Sequence, residues 1–388
     1  MTETNVEPPI YLDHNATTPI DPAAVDAMMP FLKEEFGNPS SGYALGVRAM
    51  EAVNRARKEV ADLIGSHPGE IVFTSGGSES NNIVLKGVMD LTHPQDYHII
   101  TSAVEHPAIL NPALFLMEIG VHVTFVPVDD LGRVNPDDIR KALSSQTKLI
   151  SVMLANNETG TLQPIREISH IARKHGVWLH TDAAQAVGKI PVDVTDLGVD
   201  FLSVAGHKLY GPKGVGALYI KSDRSVTPLV HGAAQEEGRR AGTENVILAV
   251  GLGAACRVAA KRRQSDAERI RPLRDRLEDL LLRGIDGLVL NGHPGERLPN
   301  TLNVSVPGLE GGKILDAVPS VMASTGAACH DRTVRLSHVL SAMHVPPEVG
   351  MGALRFTLGR GNTPDQIERA AQCIIYQVKE MRHGQAPL

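Results

Sequence analysis

Two charged residues each follow a short apolar run. Asp182 comes directly after VWLHT, and Lys208 comes four residues after FLSV at 201–204. In an open α/β sheet, ligands gather beyond the carboxyl ends of the strands, so both residues are expected at one sheet edge. Taken alone, Asp182 reads best as a helix N-cap ahead of Ala183–Val187, and a lone lysine after a strand is usually just solvated. Together they change the reading. A lysine with a lowered pKa forms a Schiff base with an aldehyde, and a carboxylate beside it pairs with a pyridinium. Pyridoxal phosphate needs that combination. Its phosphate needs a cradle, which FTSGGSESNN (73–82) can supply. There the backbone N–H groups of Gly77 and Ser78, the Ser78 hydroxyl and the dipole of the following helix can hold a dianion. The segment is neither a Walker loop nor a GxSxG elbow, and GVGALY and GLGAAC lack the third glycine of a dinucleotide fingerprint.

These residues need elements to carry them. Residues 48–64 place Val53, Ala56, Val60, Leu63 and Ile64 at helical spacing, with Gly65 as the stop. Short apolar runs follow at 71–74, 97–101, 121–126, 148–154, 177–181, 201–204 and 216–220. Several are apolar almost throughout, as strands covered on both faces are, and helical segments separate many of them. After about residue 260 the texture becomes a charged helical stretch, then strand candidates at 301–306 and 354–359. A final amphipathic helix starts at Thr363–Pro364, an N-cap followed by an N1 proline. The expected fold is α/β, with a large domain (17–260) built on a mostly parallel mixed sheet. Residues 1–16 and 261–388 would form a smaller α+β domain.

The chain has 388 residues, 42% hydrophobic and 21% charged, with 38 basic against 44 acidic side chains. That supports a large core and leaves no basic surplus for nucleic acid. Three cysteines, Cys256, Cys329 and Cys373, without a CxxC pair, exclude a disulfide scaffold and a zinc ribbon, and no metal site is expected. Sparse unpaired cysteines fit a reducing cytosol. The N-terminus lacks a signal-peptide pattern, and the longest apolar stretch, Val246 to Cys256, is too short to span a bilayer. A soluble cytoplasmic protein is expected.

The motifs YLDHNATTP, FGNPSS, FTSGGSESNN, EHPA, ANNETG, HTDAAQAVGK, GHKLYGPKG, GTEN and GAACH occur in that order. As an ordered set they resemble the cysteine desulfurase and selenocysteine lyase group of class V, fold-type I pyridoxal-phosphate enzymes, from about Tyr11 to Gly361. The resemblance implies that Lys208 binds the cofactor covalently and that Asp182 keeps its ring nitrogen protonated. Gln185 would hydrogen-bond the ring's phenolic oxygen, and His106 would stack on the ring and take part in proton movement. Asn157 would lie near that oxygen and the substrate carboxylate, which Arg355 would grip. The phosphate pocket would comprise Gly77, Ser78, His207 and Thr243. In the family the threonine comes from a neighbouring subunit, so a homodimer is implied. Many desulfurases carry a serine where this chain has Ala205, which tilts the resemblance toward selenocysteine lyases.

Cys256 and Cys373 read as small core hydrophobes in helical apolar settings. Cys329 is different: it precedes a polar stretch in which His330, Arg332 and Arg335 favour a thiolate. The family resemblance makes it the nucleophile that takes sulfur from L-cysteine, or meets selenium from L-selenocysteine, and leaves L-alanine. Its spacing to SHVL matches desulfurases that pass sulfur to an acceptor protein, while GAACH resembles selenocysteine lyases. Another lyase or aminotransferase reaction, or a non-catalytic sulfur-carrier scaffold, stands as the alternative.

Overall fold

A computed structural model describes residues 8–326 and 336–384. The chain enters through β1 (Ile10–Tyr11), and the next seven strands form one sheet. In chain order these are β2 (Ile71–Thr74), β3 (His98–Ser102), β4 (His122–Val126), β5 (Thr147–Ser151), β6 (Trp178–Asp182), β7 (Phe201–Ala205) and β8 (Gly216–Ile220). Their order across the sheet is β2-β8-β7-β6-β5-β3-β4, and β8 is antiparallel to both neighbours while the other pairs are parallel. Only β8 is reversed, so the carboxyl ends of β2, β3, β5, β6 and β7 share one edge. The helices on both faces explain the strand composition. Side chains of β2, β3, β7 and β8 are buried throughout, in two apolar clusters on opposite faces.

The helix expected over 48–64 runs from Ala44 to Ile64 and ends at Gly65 with φ 70°, a left-handed conformation glycine adopts without strain. The strand expected to reach Leu154 stops at Ser151, although Val152 and Leu154 still donate to carbonyls of β6 at 3.1 and 2.9 Å.

A second, smaller sheet comprises β9 (Val289–Leu290), β10 (Thr301–Ser305) and β12 (Ala353–Thr357), with β10 antiparallel to both neighbours. The short β11 (Val321–Met322) pairs with β1 in parallel. This sheet shares its core with the helix Pro364–His383, through Leu302, Val304, Phe356, Ile367 and Ile374. Thr363 caps that helix, and Gln366 returns a bond to the cap. The charged stretch after residue 260 is the second half of one helix, Val246–Gly284. That helix runs unbroken through the expected boundary, so helical backbone joins the two portions there. Cys256 is fully buried, whereas Cys373 is only half-buried against Ser320, 3.9 Å away. Among the described residues no helix is long and apolar enough to cross a membrane, and no cluster of side chains suits a metal ion.

Candidate active site

The carboxyl edge of the large sheet opens into a cavity of about 410 Å³. Of the cofactor and substrate residues expected from the sequence, Gly77, Ser78, His106, Asn157, Asp182, Gln185, His207, Lys208 and Arg355 line it, and Thr243 does not. Cys329 lies outside the described residues. Thr243 lines a separate depression with Ser75, Glu236 and Arg240, so its own chain does not bring it to the cavity.

Asp182 ends β6, and no helix follows it: a turn does, with Ala184 N–H donating to Oδ1 at 2.9 Å. The helix-cap reading is therefore replaced by a turn. The other oxygen accepts from Asn81 Nδ2 at 2.7 Å. Two donors hold this buried carboxylate in one orientation with its charge facing the cavity.

Lys208 sits in a single tight helical turn after β7, and its Nζ donates to the carbonyls of Asn15 at 2.6 Å and Ala16 at 2.8 Å. Burial lowers its pKa to about 8; Arg355 adds to the effect, while Asp13 and Asp182 oppose it. A far larger fraction of the amine than in an ordinary lysine is thus neutral and free to act as a nucleophile. His207 is also lowered to about 4, first by burial and then by Lys208, so it is a neutral donor at physiological pH. Its Nδ1 lies 3.3 Å from Thr17 Oγ1.

The helix Gly77–Gly87 starts at the end of β2, and its N-cap, Gly76, has no side chain to satisfy the first turn. Gly77 and Ser78 line the cavity there, so an anion is the natural partner for their N–H groups. Gly216 lets this turn lie against the sheet: a Cβ on it would sit 2.7 Å from Gly76 Cα and 2.5 Å from the Val204 carbonyl. Ala205 lines the cavity with a methyl group and offers no side-chain donor there.

His106 precedes a helix starting at Pro107, and its Nδ1 accepts from Ala108 N–H at 3.0 Å. Loss of solvent on its inner side and the nearby Lys208 and His338 lower its pKa, against Asp182. Beside it, Glu105 is fully buried and raised to about 8 by desolvation. Its Oε1 accepts from Ser102 Oγ at 2.6 Å and Met153 N–H at 2.9 Å, and Oε2 has no partner among the described residues. Glu105 is therefore mostly protonated at neutral pH.

Arg355 reaches the cavity from β12. Its Nη2 contacts Asp13 Oδ1 at 2.8 Å, Nη1 donates to the Asn157 carbonyl at 3.1 Å, and Nε is buried without a partner among the described residues. A carboxylate in the cavity would complete that guanidinium. Glu158, next to Asn157, accepts from Ser337 Oγ at 2.5 Å and is raised by burial.

Sequence reasoning missed Asp13, Asn15, Asn81 and Lys189. The first two lie in YLDHNATTP and the last in HTDAAQAVGK, both noted as motifs. Asp13 and Asn15 act across 342 and 193 residues, on Arg355 and Lys208, and no local pattern reports such contacts.

A fixed acid, an amine of lowered pKa and an uncapped helix start at one sheet edge define a site of the pyridoxal-phosphate type. The class-V aminotransferase family matches residues 10–370. A cysteine desulfurase IscS from Dictyoglomus turgidum is 46% identical over 375 residues, covering 96% of this chain and 95% of the relative. A solved NifS-like protein superposes with a TM-score of 0.90 at 35% identity, over 96% of this chain and 99% of its own. A structure described as SspA in complex with cysteine has a TM-score of 0.79 at 34% identity, over 90% of this chain and 98% of its own. The chain belongs to the class-V aminotransferase family, in its cysteine desulfurase branch.

Proposed function

We propose that the protein is a pyridoxal-phosphate-dependent cysteine desulfurase that converts L-cysteine to L-alanine and passes the sulfur to Cys329. The observation that carries the cofactor assignment is the cavity itself, where Lys208, Asp182 and the Gly77–Ser78 helix start converge. The donor set fits the cofactor: Lys208 would hold its aldehyde carbon, Asp182 its ring nitrogen, Gln185 its ring oxygen, and Gly77, Ser78 and His207 its phosphate. Bound there, pyridoxal phosphate supplies an electron sink that acidifies the α-carbon of an amino acid.

The side chains divide the remaining work. Arg355 and Asn157 orient the substrate carboxylate, with the Arg355 fork turned into the cavity by Asp13. Lys208 Nζ, with its pKa near 8, takes a proton from the α-carbon and returns one nearby. His106 walls the cavity and carries protons at Nε2. Cys329 is assigned as the sulfur acceptor on the sequence resemblance. Ala205, the residue that tilted the sequence toward selenocysteine lyases, stands here in a chain 46% identical to a relative named cysteine desulfurase.

We further propose a cytoplasmic homodimer in which Thr243 completes the neighbour's phosphate pocket, and an acceptor protein for the sulfur. The working division is 17–260 for cofactor binding, with 1–16 and 261–388 carrying the Cys329 segment. The test is borohydride reduction followed by peptide mapping, with alanine and sulfide measured from L-cysteine without an added keto acid. The expected result is a pyridoxyl tag on Lys208 and equal yields of alanine and sulfide under reducing conditions. A tag elsewhere, or alanine formation surviving Lys208→Ala, refutes the assignment.

A further inference from the structure

Lys189 takes no part in the chemistry above, and it does not line the cavity. Its amine nonetheless turns inward, donating to Gln185 Oε1 at 2.6 Å and Asn15 Oδ1 at 3.0 Å. Gln185 Nε2 in turn donates to the Asn15 carbonyl at 3.0 Å, the same oxygen that receives Lys208 Nζ. Asn15 is held from the other side by Asn300 Nδ2 at 3.1 Å, and its own amide donates to Thr301 Oγ1 at 2.9 Å. A lysine amine on these partners donates, and a backbone carbonyl can only accept. Both neighbours of the Gln185 amide therefore demand the same orientation. Its oxygen is engaged by Lys189, one N–H by Asn15, and the second N–H is what Gln185 can offer to the cavity it lines.

We propose that Lys189 is a positioning residue that locks the Gln185 amide, so that Gln185 presents an N–H rather than a carbonyl oxygen to the bound cofactor. Without Lys189, rotating the amide by half a turn costs one bond at Asn15 and leaves the oxygen free to face the cavity. A carbonyl oxygen there repels a deprotonated ring oxygen that an N–H would stabilise. The charged neighbours of this amine are Lys208 and Arg355, and the titratable His14 and His207, both lowered to about 4 and so neutral, also lie near it. Removing the Lys189 donor, charged or neutral, acts on the ring oxygen in the same direction.

The inference rests on the cofactor reading above, and it deepens the role of Gln185. The test uses the cofactor-loaded protein and reads the pH midpoint of its visible absorbance change, without turnover. Lys189→Met is expected to raise that midpoint by about 1 unit, and Lys189→Arg, which keeps the donor, to restore most of it. Lys189→Gln keeps the interior polar but is one bond too short to reach Gln185. It is the second variant should the methionine variant not fold, and it is expected to shift the same way. In a Gln185→Ala background most of the shift from the Lys189 substitutions should disappear, since it passes through that amide. An unchanged midpoint in the folded Lys189 variants, or a shift that persists in full without Gln185, overturns the inference. A wild-type protein that takes up no cofactor overturns the cofactor reading instead.

Discussion

The lowered pKa of Lys208 makes a quantitative prediction about the cofactor-free protein. At a pKa of about 8, roughly one amine in eleven is neutral at pH 7, against about one in three thousand at the ordinary 10.5. The neutral, reactive fraction of Lys208 at pH 7 is therefore about 300-fold larger than an unperturbed lysine would have. Arg355 is the largest charge acting in this direction, and it also neutralises Asp13 at 2.8 Å. Arg355→Ala removes a cation and frees a carboxylate, and both changes favour the ammonium form. The Lys208 midpoint should rise by about 1 unit, a tenfold loss of reactive amine at pH 7. Trace acetylation with acetic anhydride, followed by peptide mass spectrometry and normalised to exposed Lys58, measures this directly. Wild-type labelling of Lys208 should climb with pH and level off above about 8. Labelling that still rose tenfold per unit between pH 8 and 10, or a midpoint lowered by Arg355→Ala, would refute the reasoning. The same shift has a sign in stability. Between about pH 8 and 10.5 the unfolded chain binds more protons at Lys208 than the native one, so stability from this residue rises across that window.

Three further outcomes follow from buried groups around the site. Glu105, raised to about 8, binds more protons native than unfolded between about pH 4.5 and 8, so its contribution to stability falls over that range. Glu105→Gln should flatten that loss, gaining melting temperature relative to wild type at pH 8 but not at pH 5. A Cβ on Gly359 would lie 2.2 Å from the His14 ring, which is wedged against Tyr11 and Tyr210. Gly359→Ala should therefore cost about 2 kcal/mol in a denaturant titration. Arg360 bonds Asp21 at 2.8 Å and Asp266 at 2.7 Å and stacks 4.0 Å above the Tyr210 ring, with all three ionic groups largely buried. Arg360→Ala leaves two carboxylates unpaired and should cost about 3–5 kcal/mol. Asp21→Asn in that background should recover part of the loss.

What the sequence determined by itself was whatever neighbouring residues decide among themselves. Helical spacing located the Ala44–Ile64 helix, and Thr363–Pro364 announced the start of the last one. Apolar runs located the strands to within a few residues, because a strand covered on both faces must be apolar along its length. Asp182 and Lys208 were legible because each follows such a run, and strand ends are where an open sheet binds ligands. Tertiary structure decided the rest. It turned Asp182 away from helix capping, carried one helix through the expected boundary at residue 260, and left Thr243 outside its own chain's cavity. It also joined Asp13 to Arg355, and Asn15 to Lys208, Gln185 and Lys189. Those contacts depend on where β1 docks against β11 and on how the small sheet faces the large one. Such placement comes from burying whole surfaces together, and no window of adjacent residues contains it.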